Sequence, residues 1–174
     1  MFGRMALASA ALLLPGVASA QNQAKPIEEV TADLAYGYCP LYLGGQFAIT
    51  GNPVLKAFGF GEKISTQQHA RGEIKAVGAK RPDGELNFGG VKDQVCQVMM
   101  AGPKRAAAWD MLHKNMAFLG FDFKANPTNT GVRNGAKVET YKALVGKQFL
   151  YVQLIEATIT GIPTVIAQIF VMDQ

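Results

Sequence analysis

The stretch that decides the fold is residues 147–172, KQFLYVQLIEATITGIPTVIAQIFVM. Two long runs rich in Val, Ile, Leu, Phe and Thr are separated by one turn signal, Thr160-Gly161-Ile162-Pro163. That pattern reads as an antiparallel hairpin of Lys147–Thr160 and Thr164–Met172. Apolar residues stand at both parities in each run: Val152 and Leu154 alternate with Tyr151 and Ile155, and Val165 and Ile169 with Ile166 and Phe170. Strands of this kind predict a sheet covered on both faces, either by a layer on each side or by curling over its own hairpins.

Working outward, Val138 and Thr140 alternate with Glu139 and Tyr141 until Gly146 breaks the run, and Phe121 and Phe123 alternate with Asp122 and Lys124 in a shorter strand. Further upstream, Ile74 and Ala76 alternate with Glu73 and Lys75, and Arg81-Pro82-Asp83-Gly84 supplies a turn. Leu86 and Phe88 then start a return strand, which Gly89-Gly90 interrupts, and the run Val91 to Met100 suits an inner strand.

Two helical patterns frame these strands. Pro26 opens the first, Glu28 and Glu29 complement the dipole in its first turn, and Ile27, Val30, Leu34 and Tyr38 form one stripe that ends at Cys39-Pro40. Gly102-Pro103 opens the second, where Ala106, Trp109, Leu112, Met116 and Leu119 recur at helical spacing before Gly120 caps the end. Residues 41–61 read as a glycine-punctuated loop carrying a short helix near 53–58, with Phe58 and Phe60 plugging one end of the core. This order predicts an α+β fold: a mainly antiparallel β-sheet with an N-terminal helix and one main amphipathic helix packed on it. An eight-stranded outer-membrane barrel would also fit the length. The helix at 103–119 and the lack of sustained in-out alternation argue against it.

The chain has 174 residues, 49% hydrophobic and 17% charged, which suits one globular domain. Residues 1–20 read as a cleavable signal peptide: Arg4, an apolar core from Met5 to Leu14, Pro15-Gly16, and the small-residue site Ala18-Ser19-Ala20. The apolar core would rise only about 15 Å as a helix, half of a hydrocarbon layer of about 30 Å. The expected mature chain is then a single domain of residues 21–174, periplasmic or secreted, with no transmembrane segment after cleavage. Its basic excess is small and scattered, with adjacent bases only at Lys80-Arg81 and Lys104-Arg105. This argues against nucleic acid and leaves a solvated surface or weak attraction to anionic envelope polymers. An even pair of cysteines, Cys39 and Cys96, in an exported chain predicts a disulfide.

The residue inventory excludes several chemistries. After residue 20 there is one serine, Ser65, with no G-x-S-x-G and no S-x-x-K around it, so serine-hydrolase and penicillin-binding chemistry have no residues to use. Cys39, expected at a helix end, and Cys96, expected in an apolar strand, are poor settings for a thiolate. Gly59-Phe60-Gly61 lacks the third glycine of a dinucleotide loop, with Ile64 standing there. Asp83-Gly84-Glu85 offers too few oxygens for Ca²⁺ and reads as a turn. Only two histidines exist, His69 and His113. Asp110 and His113, three apart on a helix, are the weak catalytic candidates, as an acid-base pair or half of a metal site. No catalytic set, cofactor site or metal site is otherwise expected.

The loop ANPTNTGVRNGA, residues 125–136, offers Asn126, Asn129, Arg133 and Asn134 as a candidate ligand surface, against the plainer reading of turn residues kept hydrated. The functional expectation is an exported, non-catalytic binding or interaction domain of a bacterial-type envelope. Its partner would be a protein, an envelope glycan or an apolar small molecule. The alternative is a small exported enzyme using Asp110 and His113.

Overall fold

The computed structural model describes residues 25–69 and 71–173; the expected signal peptide and cleavage site lie outside them. A nearly unbroken helical rod runs from Ile27 to Leu43 as α1 (Ile27–Asp33), a π turn (Leu34–Tyr38) and α2 (Cys39–Leu43). Then come α3 (Pro53–Ala57), β1 (Phe60–His69), β2 (Gly72–Arg81), β3 (Gly84–Val91), β4 (Val95–Ala101) and α4 (Arg105–Asn115). The chain closes with β5 (Lys124–Ala125), β6 (Gly131–Arg133), β7 (Ala136–Val145), β8 (Gln148–Ile159) and β9 (Ile162–Asp173). All pairings are antiparallel, in the order β1-β2-β3-β4-β9-β8-β7-β5, with β6 also on β7. The sheet is open, so the fold is α+β and not a closed barrel. No helix among the described residues is long and apolar enough to cross a membrane.

The deciding hairpin forms as read, with one difference: the turn is Thr160-Gly161 alone, and Pro163 lies inside β9. Thr160 and Gly161 both take positive φ, 49° and 82°, the two-residue turn whose twist matches its strands. One parity of the central strands faces the helices. Cys96, Val98 and Met100 of β4, Val165, Ala167 and Ile169 of β9, and Val152 and Leu154 of β8 are fully buried there. The rod contributes Ile27, Val30, Leu34 and Ala35, and α4 contributes Ala108, Trp109 and Leu112. Ala106, placed on the stripe by spacing, is exposed, and Ala108 takes its role.

The opposite face corrects the expectation of full cover. There Gln97, Met99, Tyr151, Gln153, Ile155, Ile166, Gln168 and Phe170 are only half-buried. Cover comes at two ends: at one, Ile74, Val91 and Val95 form a small cluster with Ala76 and Phe170; at the other, Val138 and Thr140 of β7 are buried, with Thr140 bonded to Thr130 Oγ1 and Asn129 O. The β1–β2 hairpin leans across far enough for the Arg71 guanidinium to sit 4.7 Å from the Phe170 ring centre. The face is therefore covered by the β1–β2 hairpin at one end and by the 126–133 segment at the other, and stays open between them, along β8 and β9.

Three further differences have physical causes. β1 was not expected, because Glu62-Lys63-Ile64-Ser65-Thr66-Gln67-Gln68 is an exposed edge strand with no apolar alternation to reveal it. Gly89-Gly90 does not interrupt β3; the pairing with β2 and β4 runs through both. The first helix does not end at Cys39-Pro40. The Cys39 N–H donates to Leu34 O, five residues back, and Pro40 falls in the first turn of α2, where its missing N–H is tolerated. The widened turn places Cys39 beneath Leu34, facing β4. The predicted disulfide Cys39–Cys96 closes there, with Cα atoms 5.4 Å apart and both residues fully buried.

Candidate functional site

The structure does not pair Asp110 with His113. Asp110 is exposed on α4, and His113 turns toward β7. Its Nδ1 lies 2.8 Å from Trp109 O and its Nε2 lies 2.7 Å from Glu139 Oε2. Both ring nitrogens face oxygen acceptors, so the two bonds are made together only when both nitrogens carry protons. Tyr141 OH donates to the same Glu139 Oε2 at 2.6 Å, and Lys137 Nζ stands 2.9 Å from Oε1. Lys137 also caps the Trp109 ring at 4.6 Å.

Glu139, Lys137 and Tyr141 share one parity of β7 and so meet α4 together. Burial pushes the Glu139 carboxyl up, but hydrogen bonds from Tyr141, Lys137 and His113 and the His113 charge outweigh it and bring it down to about 2. Burial, and then donation to that carboxylate, push the Tyr141 phenol up to about 12. The hydrogen bond to Glu139 raises Lys137. The cluster is a clasp between α4 and β7: both carboxylate oxygens of Glu139 are occupied, and both ring nitrogens of His113 are turned onto protein oxygens.

This clasp carries a pH prediction. Glu139 ionises near 2 in the fold and near 4.5 when unfolded. Its contribution is therefore complete above about pH 5 and lost as pH falls toward 2, on the order of 2–3 kcal/mol. Glu139→Gln should lower stability at pH 7 and flatten the fall of melting temperature between pH 5 and 2. A variant that keeps the parent's slope across that window would remove the clasp from the account.

The loop at 125–136 is mostly explained by turning and edge cover. Asn134 and Gly135 take positive φ, 49° and 79°, in the β6–β7 turn. Asn129 O accepts from Thr140 Oγ1, Asn126 O accepts from Thr130 Oγ1, and Arg133 donates to Thr128 O. β5 and β6 lie along β7 and shield part of its edge. Of the four candidate side chains, Asn129, Arg133 and Asn134 are exposed and Asn126 is half-buried. Asp83, read as a turn residue, also accepts from Ile27 N at 2.9 Å and from Arg81 Nε at 3.0 Å, pinning the start of α1. His69 ends β1, and its side chain lies outside the described residues. No group of three or more His, Cys, Asp or Glu among the described residues is placed to share a metal ion.

One concavity lies beside the π turn. A cleft of about 490 Å³ is lined by Asp33, Tyr36, Gly37, Tyr38, Asn115 and Phe118, with Ala32. A smaller, apolar recess of about 240 Å³ adjoins it across Tyr36 and Phe118 and is walled by Pro40, Leu43, Phe121 and Leu150. Phe118, on the 3₁₀ turn after α4, is 78% exposed, far beyond what a packing residue shows. Tyr36 forms the shared wall and is fixed there: its hydroxyl donates to Leu112 O at 2.7 Å. Burial, and secondarily the nearby Tyr141, push its phenol far above the ordinary range, so it stays a neutral donor. A Cβ on Gly37 would meet nothing within 4 Å, so the glycine leaves open space.

Spacing alone missed this site, because Phe118 falls off the apolar stripe of α4. An apolar residue off the stripe and beside a capping glycine was the available signal. Comparison with protein-family models, with characterised proteins and with solved structures finds no match for this chain.

Proposed function

We propose that this chain is an exported, non-catalytic binding domain that takes an apolar ligand in the Tyr36–Phe118 cleft. The exposed Phe118 beside an apolar recess carries the reading, because a large aromatic side chain left in water next to open apolar space is the usual mark of a contact site. Of a protein, an envelope glycan and an apolar small molecule, the lining favours the last. The π turn adds support, since such insertions recur at functional sites. Export is supported by the signal-like pattern of residues 1–20 and by the buried disulfide, which persists in oxidising compartments. The occupied ring nitrogens of His113 weigh against acid-base catalysis at that residue.

The test uses a naphthylamine fluorescent probe displaced by fatty acids of graded chain length. The parent chain should bind the probe saturably. Phe118→Ser removes a wall and Gly37→Leu fills the open space; each should weaken binding by about tenfold, since a buried Phe contact contributes roughly 1.5–3 kcal/mol. Both variants should melt close to the parent. Unchanged probe affinity in both would overturn the assignment of the cleft.

A further inference from the structure

We propose that two copies of this chain pack through the open face of the sheet as a two-fold sandwich. The face is built from the parity of β4, β9 and β8 that points away from the helices. Not one of its positions on these three strands is charged, from Val95 to Ala101, from Phe149 to Ile159 and from Ile162 to Met172. On a chain of net charge +4, a charge-free face is where two identical copies meet without repulsion, and interface centres are depleted of charge in the same way. The nearest cations, Arg71 and Lys142, stand at the rim, over Phe170 and Phe149.

The rows are also self-complementary. Gln97, Gln168 and Gln153 align across three neighbouring strands, and the row ends on Thr140 of β7, which is buried under the 126–133 segment. Gln168 donates to Gln97 and Gln153 donates to Thr140, which holds the amides upright. Each amide carries both a donor and an acceptor, so this row can bond its own copy. The aliphatic row of Ile155 and Ile166 flanks it on one side and the stacked pair Tyr151–Phe170 on the other. A two-fold axis along the glutamine row sets glutamine on glutamine and the aliphatic row on the aromatic row.

The area suffices. β8 and β9 are 12 residues each. At ~3.4 Å per residue and ~4.8 Å between strands, these two strands and the 7-residue β4 give a face of ~500 Å² per copy. Two copies would bury ~1,000 Å² of flat area, the figure a biological interface has to reach. Four large apolar residues now in water lie on this face, at the two ends of the β8–β9 hairpin and on β7: Ile159, Ile162, Met172 and Leu144. Facing sheets at ~10 Å would cover them.

Sedimentation equilibrium on residues 21–174 tests this. The parent should show twice the monomer mass at tens of micromolar. Gln153→Glu with Gln168→Glu sets carboxylates against their own copies and should raise the dimer dissociation constant at least tenfold. Ile159→Asp with Met172→Asp, at exposed positions that burden the fold little, should do the same with an unchanged melting temperature. Ile64→Lys, an exposed apolar position on the far edge strand, should leave the dimer intact. A parent that stays monomeric to 1 mM overturns the proposal, including the case where that monomer floats with phospholipid vesicles. So does a dimer that both acidic pairs leave unchanged, or one that Phe118→Ser dissolves. The cleft reading stands or falls separately, because its variants read out probe binding and not mass.

Discussion

Replacing Gly90 by alanine is expected to abolish the cooperative fold. A Cβ at this position would lie 1.8 Å from Val95 O and 2.8 Å from Val95 C, and φ is +158°. Neither contact is with a side chain that can swing away. Val95 belongs to β4, which is held on one side by β3 and on the other by β9, so relief means prising a central strand out of the sheet. Gly90 also pairs directly with Cys96, the strand's half of the disulfide, and its carbonyl accepts from Tyr42 OH at 3.1 Å. Shifting it would disturb the bridge and the helical rod together. The loss should exceed the ~4–5 kcal/mol that marks the severe end of single substitutions, a large part of the ~5–15 kcal/mol that a domain has. Gly78→Ala is the matched control on β2: its Cβ would approach Asn87 Oδ1 at 3.1 Å, a side-chain atom that can move. Urea unfolding should show no native baseline for Gly90→Ala and a shift within ~1 kcal/mol for Gly78→Ala. A Gly90→Ala protein that unfolds near the parent midpoint would mean that β3 and β4 approach less closely than described.

The same glycine pair shows what the sequence could and could not convey. Gly89-Gly90 was legible as a special point, and its local reading was a break. The reason it continues the strand lies in two other strands: Lys75 O would be 2.0 Å from a Cβ on Gly89, and Val95 O is as close on Gly90. Local signals did well where the cause is local. The Thr160-Gly161 hairpin, the helix capped by Gly120 in left-handed conformation, and the Asn52-Pro53 start of α3, where Asn52 Oδ1 accepts from Val54 N, are all of that kind. They failed where the partner is distant. Asp110 looked like the mate of His113 because it is three residues away, whereas Glu139 is 26 away and reaches it only after β7 has docked. The π turn hid behind Cys39-Pro40, which reads as a stop unless the helix is known to widen first. The open face hid behind the apolar character of both parities in β8 and β9, which predicts cover without saying whether helices, hairpins or a second chain provide it.

Removing the disulfide is the second large expected effect. Cys39→Ala with Cys96→Ala should lower stability by about 4 kcal/mol, from a bridge whose ends are 57 residues apart. For a domain of about 150 residues this moves the melting temperature down by roughly 8–16 °C. The double variant is the informative one, because a single replacement leaves a buried thiol that can react elsewhere. The bridge encloses α3 and β1 to β3, so without it the unfolded chain gains the freedom of that whole segment. If the stabilisation acts through the unfolded state, the urea dependence should steepen in the double variant, since the unbridged chain exposes more surface. If it acts instead by holding the rod against β4, the dependence should stay fixed. In that case hydrogen exchange should quicken at Leu34–Leu43 while β8 and β9 remain protected. A double variant within ~1 kcal/mol of the parent would refute both routes. It would leave the rod anchored by packing alone, through Ile27, Val30 and Leu34 against the inner face. The first route is favoured because those three side chains are already fully buried. The native rod therefore has little left to gain from a tether, whereas the unfolded chain has a long loop to lose.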